Sequence, residues 1–385
     1  MGMFIIRRTG LMVLTAICLT FVVFVMTNLP PNLEKLAKTQ GNFRMSDAEV
    51  ASYLGDRGFN RPMTVKYGEW LGVIPSYKIT GRDEEIRSRC SAHGPIIDET
   101  INYCGVLQGY WGQSWVFKEP VSEVISKRLS RTGALMFWVF LLMIPGALIL
   151  GVLAGMREGS KLDRTLSTAT ITTTATPEYV SGVIFIALLA SSKFGLSPLL
   201  NSWGWTEKRT LLKGSATSAS KEMPADFDVS FIPQVLEGFW FRLAGAPNLD
   251  NFLLPVITIA LYGMGYIARM TRASMAEVMT SQYIRTARLK GVSFRNIIIR
   301  HALRNALIAP FTVIMLQIPW LLTGVVIVET LFNYKGFGWA LVQAASNNDM
   351  DLLLAVSVVS VIVVLLTQLI SDIGYVFLNP RIRIS

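Results

Sequence analysis

The chain has 385 residues, of which 51% are hydrophobic and 16% charged, and its formal net charge is +10. Soluble domains carry about a quarter of charged residues, so this composition is not that of a soluble globular protein. The excess of basic residues indicates attraction to an anionic surface or partner.

Six stretches are apolar over the length that a bilayer demands, about 20 helical residues. In chain order they cover residues 9–33, 132–156, 165–192, 251–268, 305–328 and 352–371. The third contains one acid, Glu178, and the fourth is short. We therefore predict an all-α polytopic membrane protein with six transmembrane helices.

The first apolar stretch follows Arg7 and Arg8, an arrangement that also begins secretory signal peptides. However, the apolar run is long, and the following "VMTNLPPN" offers no small-x-small cleavage site. We predict an uncleaved first helix near residues 9–26.

Basic residues in short loops predict the orientation. They precede the first span, fill the loop after the second (Arg157, Lys161, Arg164), concentrate after the fourth, and follow the last (Arg381, Arg383). Both termini are therefore predicted to be cytoplasmic, and segments 28–131 and 193–251 to face outward. We divide the chain into 1–131, the first helix with an extracytoplasmic segment, and 132–385, a five-helix core with a cytoplasmic coupling loop at 269–304.

That cytoplasmic loop holds most of the positive charge, with eight basic residues and one acid, Glu277. One interpretation is that these charges only keep the loop on the cytoplasmic side and attract anionic lipid. That attraction contributes about 1 kcal/mol per basic residue. Nucleic-acid binding would need more aromatic side chains than Tyr283 and Phe294, and we set it aside. The third interpretation is a docking surface for a cytoplasmic partner.

Local sequence within the loop favours the docking surface. Residues 277–290 contain good helix formers and no proline. Gly291 suits the C′ position that ends a helix, and Ser293 suits the N-cap of the next. The second helix presents a set of residues at three- to four-residue spacing: Ile297, Ile298, His301, Ala302 and Asn305. We predict two helices joined at a glycine elbow, with a basic exposed face.

The segments "QYIRTARLKG" (282–291) and "RHALRNALIAP" (300–310) resemble the coupling loop of binding-protein-dependent ABC transporter permeases of the dipeptide/oligopeptide branch. Further similar segments are "RPMTVKYGEWL" (61–71), "LQGYWGQSW" (107–115), "TPEYVSG" (176–182), "VIVETLFNYKGFGWALVQAA" (326–345) and "SDIGYVFLNPRIR" (371–383). The departures are Asn379, where the family usually has Asp, Pro30-Pro31-Asn32 in place of Pro-Gly-Asp, and longer segments at 76–106 and about 206–240.

This resemblance implies a permease subunit of an ATP-driven importer, for peptides or peptide-like small solutes, in the bacterial cytoplasmic membrane. It implies three kinds of partner: a second homologous permease subunit, two cytoplasmic ATPase subunits that bind ATP and Mg²⁺, and an extracytoplasmic solute-binding protein. The residues implied to couple to the ATPases are Glu277, Tyr283, Arg285, Thr286, Ala287, Arg288 and Gly291. The chain has no Gly-Lys dipeptide and therefore no P-loop, so we expect no enzyme activity and no cofactor of its own.

Two acids are candidates for the translocation pathway or its gate. Glu178 lies inside a span, where an ionisable group is a functional hypothesis by default. It would contact a substrate amine, or else hydrogen-bond a partner helix beside Pro177. Glu329 is placed at the outer end of the fifth span, as a solvated end or a gate contact.

The remaining candidates concern cysteine and metal chemistry. Cys90 and Cys104 both lie in the predicted outer segment, and an oxidising compartment favours a disulfide between them, with two separate thiols as the alternative. The two histidines, His93 and His301, have no ligand cluster around them in sequence, so we expect no metal site and no catalytic residues.

Two other classes of function stay open from the sequence. An ion-coupled secondary transporter would be expected to show inverted repeats and broken helices, and the halves of this chain show no such repeat. A membrane-anchored receptor that signals through the basic loop would not need six spans. Dependence of transport on ATP separates all three hypotheses.

Overall fold

A computed structural model describes residues 2–80, 86–88, 90, 103–190, 196–203 and 249–378. The first elements are α1 (Gly2–Thr27), α2 (Pro30–Gln40), α3 (Asp47–Asp56), α4 (Met63–Leu71), β1 (Lys78–Thr80), β2 (Ile86–Ser88) and a 3-10 turn (Val106–Gln108). Then follow α5 (Val121–Gly155), α6 (Lys161–Ala175), α7 (Glu178–Leu189), α8 (Leu196–Ser202), α9 (Leu249–Met279), α10 (Gln282–Leu289), α11 (Phe294–Ala306), α12 (Ile308–Leu331), α13 (Phe337–Ser346) and α14 (Met350–Leu378).

The helical, polytopic character that the sequence predicts is confirmed in this coarse form. Among the described residues, four stretches are long and apolar enough to cross a membrane: Ile6–Thr27, Val121–Gly155, Phe252–Met279 and Met350–Gly374. The number rises to six if two bent helix pairs each count as one span. Within the described ranges the chain is not purely α-helical, because β1 pairs with β2 antiparallel, with Ile79 opposite Arg87, and Gln113 forms an isolated bridge with Pro120.

The predicted third span, 165–192, is not one straight helix. The α6 helix ends at Ala175, α7 begins at Glu178, and the two are bent by 103°. Pro177 explains the break, because it has no N–H to donate and it forces the preceding residue out of the helical region. Thr176 accordingly adopts φ −93° and ψ 119°. Glu178 therefore starts the second helix of a bent pair, here called the broken span, whether the pair crosses the membrane or re-enters it.

The chain divides into two compact units, one of residues 1–129 with 339–365 and the other of residues 130–338 with 366–385. An aromatic cluster forms a core of the first unit. The Phe24 and Trp70 rings lie with centroids 5.7 Å apart, and Tyr67 stacks on Trp70 at 5.9 Å. Leu354 and Val358 pack on the same cluster. Burial of this apolar surface holds α1, α4 and α14 together.

A buried carboxylate organises the segment 107–115 of the first unit. Ser114 Oγ donates to Asp349 Oδ2 at 2.6 Å, and the Val116 N–H donates to the same oxygen at 3.1 Å. Asp349 also accepts from the Leu352 N–H at the start of α14. These bonds satisfy a carboxylate that would otherwise be costly to bury.

The second unit has its main core between α5, α9 and α12. Its fully buried members include Leu135, Val139, Met143, Ala260, Ile267 and Val328. Small residues allow these helices to approach closely. A Cβ at Gly155 would lie 2.6 Å from the Arg272 carbonyl, and one at Gly265 would lie 2.7 Å from Thr173 Oγ1. Both glycines are therefore packing positions, where a larger residue would collide with the neighbouring helix.

Several sequence-based predictions concern residues outside the described ranges. They include Arg381 and Arg383, Asn379, His93, the longer segment 206–240 and most of the outer segment 193–251. The predicted division at residue 131 likewise stays a prediction.

Candidate functional site

The basic elbow, residues 282–306, begins with a break that the sequence analysis missed. Residues 277–290 were expected to form one helix, but α9 ends at Met279 and α10 begins at Gln282. The Ser281 Oγ donates to the Val278 carbonyl at 2.6 Å, a local bond that competes with helical continuation. The α10 helix is therefore a short separate element of eight residues.

Gly291 ends α10 as predicted. Its φ is +75°, the left-handed conformation that favours glycine. The Gly291 N–H donates to the Arg288 carbonyl at 3.0 Å, and the Val292 N–H donates to the Ala287 carbonyl at 3.2 Å. This pair of bonds is a Schellman motif. It turns the chain sharply into α11, whose preceding residue is Ser293.

One face of the elbow is anchored in a small apolar core of its own. Ile284 and Ala287 of α10 are buried against Met275 of α9 and against Ile297 and Ala302 of α11. Residues Ile297–Ala302 form a π-helical segment within α11, a feature that often occurs at functional sites. Of the predicted second-helix face, Ile297 and Ala302 are buried, whereas His301 and Asn305 are exposed.

The opposite face of the elbow is exposed and basic. Tyr283, Arg285, Thr286 and Arg288 are exposed, and Leu289 is 82% exposed. Within the described ranges no salt bridge involves Arg285 or Arg288. Of the other predicted coupling residues, Glu277 is exposed on α9, whereas Ala287 faces the apolar core. This exposed face therefore offers positive charge and one leucine side chain for contact with another molecule.

An ion pair that sequence reasoning did not find lies beside the elbow. Arg272 Nε donates to Asp163 Oδ1 at 2.5 Å and its Nη2 donates to Oδ2 at 2.8 Å. The Gly159 N–H and Ser167 Oγ also donate to this carboxylate, at 2.9 and 3.0 Å. The Asp163 side chain is 3% exposed and that of Arg272 is 30% exposed. This bidentate pair joins the start of α6 to the end of α9.

The length of α9 corrects the predicted bounds of the coupling loop. The loop was placed at 269–304, but α9 continues to Met279, so Arg269 and Arg272 are helical residues. Arg269 stacks over the Tyr266 ring with its guanidinium carbon 5.0 Å from the centroid. Two of the eight basic residues are therefore committed to contacts within this chain.

Glu178 lies on a partly exposed face of the second unit. A Cβ at Gly324 of α12 would lie 3.1 Å from Glu178 Oε1, so the missing side chain makes room for the carboxylate. One turn away on α12, Trp320 stacks on Tyr262 of α9 at 4.8 Å. Within the described residues, Glu178 has no hydrogen bond and no salt bridge.

Glu329, the second acid proposed for the pathway or gate, is 0% exposed. It accepts a hydrogen bond from Thr132 Oγ1, and the same hydroxyl accepts from the Phe337 N–H at 2.7 Å. The Tyr334 N–H donates to the Glu329 carbonyl at 2.8 Å, and burial raises the pKa of the Tyr334 phenol. The prediction that Glu329 lies at a solvated helix end is therefore wrong, because packed helices bury its side chain. Its role as a gate contact stays a prediction.

The structure joins Cys90 and Cys104 by a disulfide with Cα atoms 5.3 Å apart. Cys104 is 1% exposed, whereas Cys18 in α1 is an exposed free cysteine. In the part of the chain that the structure describes, no group of three or more His, Cys, Asp or Glu side chains is arranged to hold a metal ion.

Comparison with known proteins gives a family match over most of the second unit. The family described as "binding-protein-dependent transport system inner membrane component" matches residues 147–384. The match contains the broken span, the ion pair and the whole basic elbow.

Individual relatives extend the similarity over the full chain. The oligopeptide transport system permease protein AppB of Bacillus subtilis is 27% identical, with 100% of both chains covered. The dipeptide transport system permease protein DppB of Escherichia coli K12 is 28% identical, covering 99% of this chain and 98% of the relative. The DppB of Haemophilus influenzae is 30% identical over 72% of this chain and 78% of the relative.

Proposed function

The chain belongs to the family of binding-protein-dependent transport system inner membrane components, and from that membership we propose that it is the permease subunit of an ATP-driven importer. The proposed cargo is a peptide or a peptide-like small solute, since the relatives named above are oligopeptide and dipeptide permeases. It forms the translocation pathway with a second, homologous permease subunit.

The proposed partners supply what this chain lacks. Two cytoplasmic ATPase subunits bind ATP and Mg²⁺, and an extracytoplasmic solute-binding protein delivers the cargo. The chain is a multi-pass protein of the bacterial inner membrane with both termini in the cytoplasm. The Lys/Arg distribution of its short loops supports this orientation.

The observation that supports ATPase coupling best is the two-sided character of the elbow. Its apolar face is fixed in a core shared with α9 and α11, while Arg285 and Arg288 face outward with Leu289. An element that is rigidly attached on one side can transmit a displacement applied on the other. Guanidinium groups bind carboxylates in a bidentate manner, and an exposed leucine adds apolar contact area.

The proposed mechanism is alternating access. Closure of the ATPase dimer displaces the elbow, and the displacement reaches α9 and α6 through the apolar core and the Arg272–Asp163 pair. The ATPases must contact the elbow differently in the closed and open states, because a contact of equal strength in both shifts no equilibrium.

Uptake into proteoliposomes tests the proposal. The chain is reconstituted with the second permease subunit, the ATPases and the binding protein, and peptide uptake is measured with enclosed ATP, without ATP, and with an ion gradient alone. We expect uptake with ATP only. Uptake driven by the ion gradient alone would instead identify a secondary transporter, a class in which broken helices also occur, and ligand binding without any uptake would identify a receptor.

A further inference from the structure

Among the described residues of the second unit, two opposite charges at membrane-spanning positions have no partner of opposite sign. Glu178 lies in the broken span and Arg269 lies within the span Phe252–Met279. Within the described residues neither forms a salt bridge or a hydrogen bond, and Arg269 Nε is buried without a partner. Charges at such positions are costly and mark substrate or ion paths.

A pair of tyrosines connects the two charges. Tyr262, Tyr266 and Arg269 follow each other on one face of α9 at four- and three-residue spacing. The two tyrosine rings have centroids 5.8 Å apart. Tyr262 also stacks on Trp320, which lies one turn from Gly324, the position beside the Glu178 carboxylate. The face is accessible, since Tyr266 is 42% and Trp320 is 38% exposed.

We propose that Glu178 and Arg269 form a two-point site for a short zwitterionic peptide, with Glu178 taking the terminal ammonium and Arg269 the terminal carboxylate. The inference rests on the proposed function and deepens it by assigning the substrate's charged ends to this chain. No covalent step is involved; the peptide is held by charge-assisted hydrogen bonds while it crosses.

The chemistry of each end fits its proposed ligand. Beside Glu178, the stacked Tyr262 and Trp320 rings offer aromatic faces that attract an ammonium group. At the other end, the guanidinium of Arg269 is planar and suited to bidentate contact with a carboxylate. Tyr266 holds that guanidinium against its ring, which orients it.

The stretch of α9 that joins the two ends of the proposed site is short. Tyr262 and Arg269 lie seven positions apart on α9, a rise of about 10 Å at about 1.5 Å per residue. An extended chain covers about 3.3–3.6 Å per residue, so a peptide of about three residues is as long as this stretch, and trialanine is a suitable probe.

The experiment uses trialanine, N-acetyl-trialanine and trialanine amide as probes, each loaded on the binding protein and offered to the complete transporter in ATP-containing vesicles. The variants are Glu178→Gln and Arg269→Gln, with Glu123→Gln as the matched control, because Glu123 lies in the first unit with an exposed side chain. A fourth variant, Gly324→Ala, keeps both charges but places a methyl group 3.1 Å from Glu178 Oε1.

We expect Glu178→Gln to lower trialanine uptake about tenfold, the effect of losing one charge-assisted hydrogen bond, and to leave uptake of the N-acetyl form at its wild-type rate. Arg269→Gln should show the mirror pattern, with the amide form unaffected. Gly324→Ala should reduce trialanine uptake selectively in the same sense as Glu178→Gln. The control variant should transport all three probes like the wild type.

Other outcomes overturn the inference. Equal losses for the free and blocked probes would assign both residues a structural role, and no loss would remove them from the path. Release of the second permease subunit from a Glu178→Gln complex would show that the charges pair between subunits instead. A wild-type transporter that takes up none of the three probes contradicts the proposed peptide function, and the inference with it; uptake of trialanine without the predicted pattern contradicts the inference alone.

Discussion

At the scale of single residues, Gly291 is a position where backbone conformation alone decides the effect of a substitution. Its φ is +75°, and a Cβ added there would meet nothing within 4 Å. Gly291→Val would therefore cost about 1–3 kcal/mol through backbone strain without any steric clash. We expect ATP hydrolysis to continue while peptide uptake per ATP falls at least severalfold, in vesicles where both are measured.

Gly109→Val is the matched control for this prediction. Gly109 has φ +85° and equally open surroundings, but it lies in the predicted outer segment of the first unit. Its substitution introduces the same strain far from the proposed lever, so hydrolysis and uptake should stay coupled. Unchanged uptake per ATP in Gly291→Val would contradict the elbow mechanism.

The Asp163–Arg272 pair gives a second prediction at this scale. Asp163→Asn removes the charge from four hydrogen bonds that converge on one buried carboxylate. We expect a loss of about 1.5–3 kcal/mol in unfolding free energy, as for hydrogen bonds to charged groups, seen as a lower Tm in detergent.

Glu158→Gln is the control, because Glu158 contacts the same arginine. It lies 4.0 Å from Arg272 with a 60% exposed side chain, and such exposed pairs contribute about 0–1 kcal/mol. Equal Tm values for the two variants would show that the pair does not stabilise the base of α9.

At the scale of elements, the sequence predicts several features that depend on neighbouring residues, although it missed the local break at Ser281 between α9 and α10. The apolar runs locate the spans, and Gly291 locates the end of α10, because helix length and capping are local properties. The 103° bend at Pro177 can be predicted only in part from the local sequence. Proline requires a break, but its size depends on packing such as that of Gly182 against Phe332, 150 residues away in the chain.

Ion pairing across long sequence distance is the main part of the site that sequence reasoning misses. Arg272 and Asp163 are 109 residues apart, and nothing in the local pattern distinguishes Arg272 from the other basic residues of the loop. The burial of Glu329 is missed for the same reason, since Thr132 contacts it from 197 residues away. In both cases tertiary packing decides which charges face solvent.

The α10 helix as a docking element leads to a prediction about Arg285 and Arg288. Both are exposed and neither forms a salt bridge within the described ranges, so the double variant Arg285→Glu/Arg288→Glu leaves the fold intact. If the helix docks on the ATPases through these guanidinium groups, the reversed charges will remove the attraction, and the ATPases will be lost when the complex is purified from membranes.

The double variant Arg300→Glu/Arg304→Glu is the matched control, because it makes the same charge change on exposed residues of α11. If the loop served only lipid attraction, about 1 kcal/mol per basic residue, both double variants would behave alike. The measurement is a pull-down of the ATPases with the Arg285/Arg288 variant. If the ATPases stay bound, the docking interpretation is wrong and the lipid interpretation remains.

At the scale of the whole molecule, the predicted topology assigns opposite sides of the membrane to the two chemistries of the chain. In that prediction the basic elbow lies in the reducing cytoplasm, where disulfides are rare, and residues 28–131 lie on the oxidising side. Cys90 and Cys104 both belong to the predicted outer segment. Their oxidation state therefore reports on orientation as well as on local structure.

We expect Cys90 and Cys104 to be disulfide-bonded in protein purified without reductant. Their Cα atoms are 5.3 Å apart, within the limit of about 7 Å for a disulfide, and closing a loop of about 15 residues contributes about 3 kcal/mol in the chain-entropy model. Alkylation with a maleimide in SDS without reductant, followed by non-reducing mass mapping, should modify Cys18 alone. Cys18 is the internal control, because it is unpaired and SDS brings it out of the bilayer, so its labelling shows that the reagent reacts. Modification of all three cysteines would refute the disulfide. It would also count against an outward position of residues 28–131, since a segment on the oxidising side has no means of keeping two adjacent thiols reduced.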